Sequence, residues 1–433
     1  MKKALLLALP LSLGMMSHTM FAQKIKAKEV KRIISTLAAD DMGGRPTFKP
    51  GIDKASVFLE AEFKKAGLQP LAGSKGYRQE FNMYTVKSQS VRLLVNGKEW
   101  SRDQVVVQSS LPRIEWKSLD KIKEETVRSE EELKAKFREA LDGEVDVPTL
   151  VWVDAQAAGA FKSIRNRRAR PLITGEKDNP VVFVLKDAVF EKIAEWNLSI
   201  TQELNIMHLN NVAGMITGSS KPDEYVVFSG HYDHIGILPP SAAKDSIANG
   251  ADDDASGTTA VVMLANYFKK KKPARSIIFV AFTAEEIGGY GSQYFSRQLS
   301  PDKVVAMFNI EMIGKESKFG RNSAFITGFE KSDFGTILQK NLEGSAFKFH
   351  PDPYPEQNLF YRSDNATLAR LGVPAHTIST TQIDKDKLYH SVDDEVESLN
   401  IQNITDIIKA IARSAESIIA GKDTPTRVTD VKK

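Results

Sequence analysis

The sequence predicts an α/β fold, a sheet with helices on both faces, together with a smaller α+β insert. Two observations carry this expectation. From about residue 205 onward a short apolar strand, a polar loop and an amphipathic helix follow one another repeatedly, the alternation expected when helices cover a sheet. From about 90 to 203 the pattern changes to short strand-like runs around one charged helix.

Each element has its own signal. Val30, Ile33, Ile34 and Leu37 recur at helical spacing, as do Ala55, Phe58, Leu59 and Phe63, with Gly67 as the stop. Gly44-Arg45-Pro46-Thr47 between them reads as a loop. Residues 91–95, 105–107, 149–153 and 181–185 read as strands, and 129–141 as a helix opened by a capping box of Ser129 and Glu132. The basic cluster Arg165, Arg167, Arg168 and Arg170 is either a solvated loop or a contact for an acidic substrate. Further on, 225–229, 277–282, 304–310 and 375–379 are strands. The unbroken apolar run 277–282 suits a strand buried on both faces. Ala260, Met263, Leu264, Tyr267 and Phe268 form one helix face, and isoleucines over 401–419 form another, stopped by Gly421. The expected organisation is therefore a discontinuous domain of residues 23–89 and 204–421, an inserted domain over 90–203, and a polar tail over 422–433.

Composition excludes several function classes. Of 433 residues, 59 are Lys or Arg and 55 are Asp or Glu. Residues 1–22 hold Lys2 and Lys3 and no acid, leaving 57 basic against 55 acidic residues, a net of +2. So even a balance gives no support for nucleic acid or an anionic membrane as the partner. Hydrophobic content of 42% and charged content of 26% are those of a globular chain. There is no cysteine, which excludes disulfides, thiolate metal sites and cysteine nucleophiles. Two lysines, an apolar run over 4–16 and Ala22 form an export-signal pattern with cleavage after Ala22, so a periplasmic or secreted protein is expected. No later segment approaches the roughly 20 apolar residues of a membrane span. Nothing in the sequence bears on subunit number.

The chemistry-bearing residues fall just past the ends of the expected strands, where α/β sheets place their sites. The first strand ends in Gly230-His231-Tyr232-Asp233-His234. A neutral imidazole is a common zinc ligand and needs a partner for its second nitrogen, which Asp233 could supply. Asp252-Asp253-Asp254 precedes a helix; capping needs one acid rather than three, whereas a divalent cation would relieve the excess charge and one carboxylate could bridge two cations. The strand 277–282 leads to Glu285-Glu286. Adjacent acids point in different directions, so one can bind metal while the other serves as a general base. Glu311 ends the strand 304–310, and Tyr389-His390 precedes the last helix. Each site alone has a structural reading, such as a cap or an acidic helix start. Together, with only oxygen and nitrogen ligands, they favour a two-metal hydrolytic site, and zinc accepts histidine with carboxylate.

The motifs GHYDHIG, NGADDDASG, FTAEEIGGYGS, NIEMIG, SDNATLARLGVPA and YHSVDD, in this order, resemble the co-catalytic zinc metallopeptidases that include bacterial leucyl aminopeptidases, aminopeptidase Y and glutamate carboxypeptidase II. The resemblance runs from about 210 to 420 and more loosely over 28–70. It implies the zinc-dependent exopeptidase fold, with a mixed, mostly parallel sheet, and a protease-associated-like insert over 90–203. It implies two zinc ions per chain. His231 and Glu311 resemble ligands of one and Glu286 and His390 ligands of the other, with Asp253 bridging. Asp233 resembles the partner of His231, Glu285 the general base and Tyr389 an oxyanion-stabilising group. The family more often has aspartate at position 311 and Ser-Asp-His where this chain has Ser363-Asp364-Asn365, which leaves that loop without an assigned role. The implied function is a peptide-bond hydrolase using a two-zinc-activated water, with an aminopeptidase expected first. Its rivals are a carboxypeptidase on acidic peptides, which the arginine cluster would suit, a single-zinc glutaminyl cyclase, and a non-catalytic relative of the transferrin-receptor kind.

Overall fold

The computed structural model describes residues 25–142, 145–166, 172–173, 179–186, 192–240 and 244–429. The expected export segment 1–22, Arg167, Arg168 and Arg170, and the end of the polar tail lie outside them. Helix α1 (Ala27–Leu37) buries Val30, Ile33, Ile34 and Leu37, the predicted face. Helix α2 (Pro50–Ala66) begins on Pro50, whose missing N–H costs nothing at a helix start, and stops at Gly67 in the left-handed region, φ 71°.

The central sheet holds β1 (Arg78–Val95), β2 (Trp196–Ile216), β3 (Lys221–His231), β4 (Arg275–Phe282), β5 (Val304–Ile310), β6 (Ser323–Ile326), β7 (Lys348–Pro351) and β8 (Ala375–Ser379) in the order β7-β6-β8-β5-β3-β4-β2-β1. The middle strands β8, β5, β3 and β4 are mutually parallel, while β2 and β1 add antiparallel and β6 pairs antiparallel with β8. The sheet is mixed and mostly parallel at its centre, as expected.

Strand side chains alternate between two faces, and both faces here are covered. Phe228, Phe279 and Phe308 pack with α1, α2, α3 (Gly257–Phe268) and α5 (Ile401–Ser414), whereas Val227, Ile278, Val280 and Met307 pack on the other side with Phe295 of α4 (Tyr290–Arg297). Every residue of β4 is buried, which explains its unbroken apolar run. The isoleucine stripe is carried by α5 and a further turn, Glu416–Ile419, rather than by one helix.

Strands β1 and β2 pair along nearly their whole length, so residues 90 and 203 fall inside paired strands. Beyond this ribbon lies a four-stranded sheet, with Val105–Gln108, Val181–Leu185, Thr149–Val153 and Lys123–Val127 in that order, and helices Glu130–Asp142 and Ala158–Arg165 cover it. Ser129 Oγ caps the Glu132 N–H at 3.1 Å, but the Glu132 carboxylate accepts from Arg128 N–H, one residue earlier than in a reciprocal capping box. Arg165, the described member of the basic cluster, is bound to Asp103. Among the described residues no helix is long and apolar enough to cross a membrane.

His376 on β8 is fully buried and stacks on Phe334 at 4.8 Å. Its Nδ1 donates to the Thr327 carbonyl at 2.8 Å, and its Nε2 lies 2.7 Å from Ser332 Oγ. Burial lowers its pKa to about 4, with the Thr327 bond opposing. The unfolded chain, with a histidine pKa near 6.5, therefore binds a proton that the native state refuses between pH 6.5 and 4. This group's contribution is complete above pH 6.5 and is lost as pH falls through that window, about 3 kcal/mol in all. Urea unfolding at pH 7 and pH 5 should show His376→Gln losing about 2 kcal/mol less than the wild type over that interval; equal losses would clear His376 of the effect.

Candidate metal centre

The end of β3, the loop before α3, the ends of β4 and β5, and the segment before α5 meet at the carboxyl edge of the parallel strands. His231 is the last residue of β3 and 1% exposed. Its Nε2 lies 3.2 Å from Asp253 Oδ1, while Asp253 Oδ2 lies 3.3 Å from His390 Nε2. One carboxylate thus faces two histidines with its two oxygens. Glu286 Oε2 is 3.1 Å from the same His390 nitrogen. Donor atoms that share one tetrahedral zinc with bonds of roughly 2.0 Å lie about 3.3 Å apart, so these spacings fit an ion. On the His231 side, His231 Nε2 and Glu311 Oε2 are buried and have no well-aligned hydrogen bond among the described residues. A cation between them would satisfy both. The donors are all oxygen and imidazole nitrogen, which suits zinc.

The three consecutive aspartates divide their tasks. Asp254 Oδ1 accepts from Gly257 N–H and Met312 N–H, and its Oδ2 accepts from His231 N–H, each at 3.0 Å. It both caps α3 and ties the ends of β3 and β5 together. Asp252 accepts from Gly314 N–H at 2.7 Å and pairs with Lys315. Asp394 accepts the backbone N–H groups of Asp252 and Asp253. Asp253 alone turns its carboxylate to the histidines.

Asp233 makes contacts other than those expected of it. Its main-chain carbonyl, at 3.1 Å, accepts from His231 Nδ1, while its carboxylate stands 3.8 Å off. That carboxylate accepts from the backbone N–H groups of Glu285 and Glu286 and from Thr47 Oγ1. Asp233 therefore orients the His231 ring through its backbone and holds the Glu285–Glu286 turn through its side chain. Ala284, Met312 and His390, each a candidate site residue or next to one, have φ of 59°, 51° and 55°, a strained conformation for non-glycine residues that clusters at functional sites.

Glu285 lines a cavity with Asp253, Glu286, Glu311 and Tyr389. Burial raises its pKa well above the usual carboxylate range, and Glu311, Asp364 and Glu286 add to this against His231. Burial raises the Tyr389 hydroxyl as well, and the Tyr389 ring stacks on His390 at 3.9 Å. The Asp253 and Glu286 carboxylates push His390 up to about 10; without a metal, protons on the histidines balance the acids, and a dication would displace them. Asn365, where the resembling family carries histidine, binds the Phe360 and Ala375 carbonyls and Thr377 Oγ1, a role in holding β8.

Several participants were not among the predicted residues. His234 Nδ1 is 2.7 Å from Glu286 Oε1, and His234, Asp253 and Glu286 offer atoms within 4.8 Å of one another. Its place in GHYDHIG was the available signal. Arg45 is fully buried and donates to the carbonyls of Tyr232, Leu37, Asn249 and Gly250 at 2.6–2.9 Å. Its charge also faces Asp253, Asp233, Asp394 and Asp254. The one sequence signal for it was an arginine in a glycine–proline loop. Arg45→Met strands those carbonyls and uncovers the acids, so urea unfolding should report a loss of at least about 3 kcal/mol; a loss under 1 kcal/mol would show that the loops hold without it.

Residues 211–415 match the model of peptidase family M28. The chain is similar to a "probable zinc metalloprotease" of Leptosphaeria maculans, 34% identical over 113 residues, 26% of each protein. It is also similar to aminopeptidase NAALADL1 of Mus musculus, 31% identical over 128 residues, 28% of this chain and 16% of that one. These alignments span about a quarter or less of the relatives' own lengths. The fold is similar to that of an aminopeptidase from Aneurinibacillus sp. strain AM-1, with a TM-score of 0.50 at 17% identity over 95% of this chain and 97% of that one. It is similar too to a zinc aminopeptidase of Bacillus subtilis, with a TM-score of 0.53 at 15% identity over 94% and 99%. The matched residues 211–415 contain His231, Asp233, Asp253, Glu285, Glu286, Glu311, Tyr389 and His390, so this part of the chain is similar to peptidase family M28.

Proposed function

We propose that the protein is a metallo-exopeptidase that uses two zinc ions to hydrolyse peptide bonds, and that it acts as an aminopeptidase. The observation that carries this reading is Asp253, whose two oxygens face two histidines at 3.2 and 3.3 Å. His231, Asp253 and Glu311 would hold one ion, and Asp253, Glu286 and His390 the other. Bound there, the ions supply the Lewis acidity that makes water nucleophilic near neutral pH and polarises a carbonyl.

The chain's own groups do the rest. Glu285 takes a proton from the attacking water on its carboxylate and returns it to the departing amine. Asp233 fixes the backbone from which Glu285 and Glu286 project. The Tyr389 hydroxyl is the donor for the developing oxyanion. The acids Glu285, Glu286 and Glu311 on the cavity wall favour a substrate with a free α-ammonium. Carboxypeptidase action is the second reading, supported by Arg362 in the same wall. The export-signal pattern over 1–22 supports a periplasmic or secreted site of action on peptides.

Glu285→Gln should keep two zinc ions per chain by elemental analysis while kcat falls by about 10²–10⁴; undiminished turnover would remove Glu285 as the base. A peptide library incubated with the zinc-loaded enzyme and read by mass spectrometry should lose residues from the amino terminus. Trimming from the carboxyl terminus would favour the second reading, and one zinc per chain would favour cyclotransfer.

A further inference from the structure

We propose that His234 is a positioning residue for the second cation, holding Glu286 so that one of its oxygens is available to the ion. The inference rests on the two-zinc reading above. The His234 side chain is completely enclosed. Its backbone N–H donates to the Arg45 carbonyl at 3.2 Å, which anchors it to the segment clamping both ligand loops. The ring occupies space left by Gly250: a Cβ there would lie 2.5 Å from the His234 ring, and Gly250 has φ of 58°. The fold thus reserves a place for an imidazole beside Glu286.

The polar contacts assign its task. His234 Nδ1 is 2.7 Å from Glu286 Oε1. An ionised carboxylate only accepts, so Nδ1 carries the hydrogen and donates it. Oε1 is thereby engaged, and Oε2 is the oxygen that stands 3.1 Å from His390 Nε2. The second cation's donors are then Glu286 Oε2, His390 Nε2 and Asp253 Oδ2. His234 Nδ1 is 3.8 Å from Asp253 Oδ2, farther than the 3.1 and 3.3 Å that separate His390 Nε2 from Glu286 Oε2 and Asp253 Oδ2. Its Nε2 has no hydrogen-bond partner among the described residues, so the bond to Glu286 sets the ring's tautomer. A carboxylate bound through both oxygens would take an additional coordination position; the His234 bond leaves that position open to water or substrate. Partners that orient metal ligands in this way change metal affinity by about 10–100-fold when removed.

The test is zinc titration of the metal-free full chain against a competing chromophoric chelator, resolving two steps. His234→Leu keeps bulk and removes the donor; it should weaken one step by about 10–100-fold and leave the other unchanged. His234→Asn returns an N–H donor near the Nδ1 position and should restore the weakened step to within a few-fold. Two unchanged steps in His234→Leu would overturn the proposal, as would His234→Asn binding as weakly as His234→Leu. A wild-type chain that takes only one zinc would overturn the two-zinc reading and this inference together, whereas two wild-type zincs with an unaffected leucine variant would overturn the role of His234 alone. If the leucine variant does not fold, a crystal structure of the zinc-loaded wild type decides. Glu286 bound through one oxygen with the other on His234 supports the proposal, and either both Glu286 oxygens or a His234 nitrogen on the ion refutes it.

Discussion

Crowded negative charge is the constraint around which this protein is organised. Asp233, Asp252, Asp253, Asp254, Glu285, Glu286 and Glu311 gather at the carboxyl edge of parallel strands that end in buried, mostly apolar runs. Burying one unpaired carboxylate is already unfavourable, and neighbouring carboxylates raise the cost further. The fold meets that cost with backbone N–H groups for Asp254, Asp252 and Asp233, with Lys315 for Asp252, and with the enclosed guanidinium of Arg45. Asp253 and Glu286 are left with histidines as partners, and this remainder is where the proposed cations would sit.

The same accounting explains why neighbouring residues of one type do different things. In a run of three aspartates, one closes a helix start and two strand ends, one pairs with a lysine, and one faces the histidines. In a pair of glutamates, one contacts His234 and His390 and the other lines the cavity. The left-handed residues Ala284 and Met312 turn the chain just past the ends of β4 and β5, and His390 is itself left-handed. Conformations of that kind persist only when the surroundings overdetermine them. Here the surroundings are a sheet packed on both faces and an Asp254 carboxylate that bonds three separate segments.

The inserted unit stands apart from this constraint. Its helices and four-stranded sheet enclose an apolar core of their own, and they join the main sheet through the long β1–β2 ribbon. The acids of the centre all come from the segments after β2, while the amino-terminal segment contributes Arg45 and Thr47 as supports.

Much was readable without a structure because it depends on periodicity within one element. The faces of α1 and α2, the doubly buried β4, and the placement of His231, Glu285, Glu286 and Glu311 just past apolar runs follow from side-chain spacing along a strand or helix. The assignment of Asp253 as the bridging acid came from resemblance to a family, and the contacts of Asp233 were anticipated only in part. Which aspartate faces the histidines, where the Asp233 carboxylate goes, why Arg45 is enclosed and what His234 touches were decided by tertiary structure. Arg45 meets Gly250 across 205 positions of chain, and His234 meets Glu286 across 52. Local periodicity carries no record of such pairs, because their distances are set by how independently formed elements pack and by which arrangement leaves the fewest buried charges without a partner.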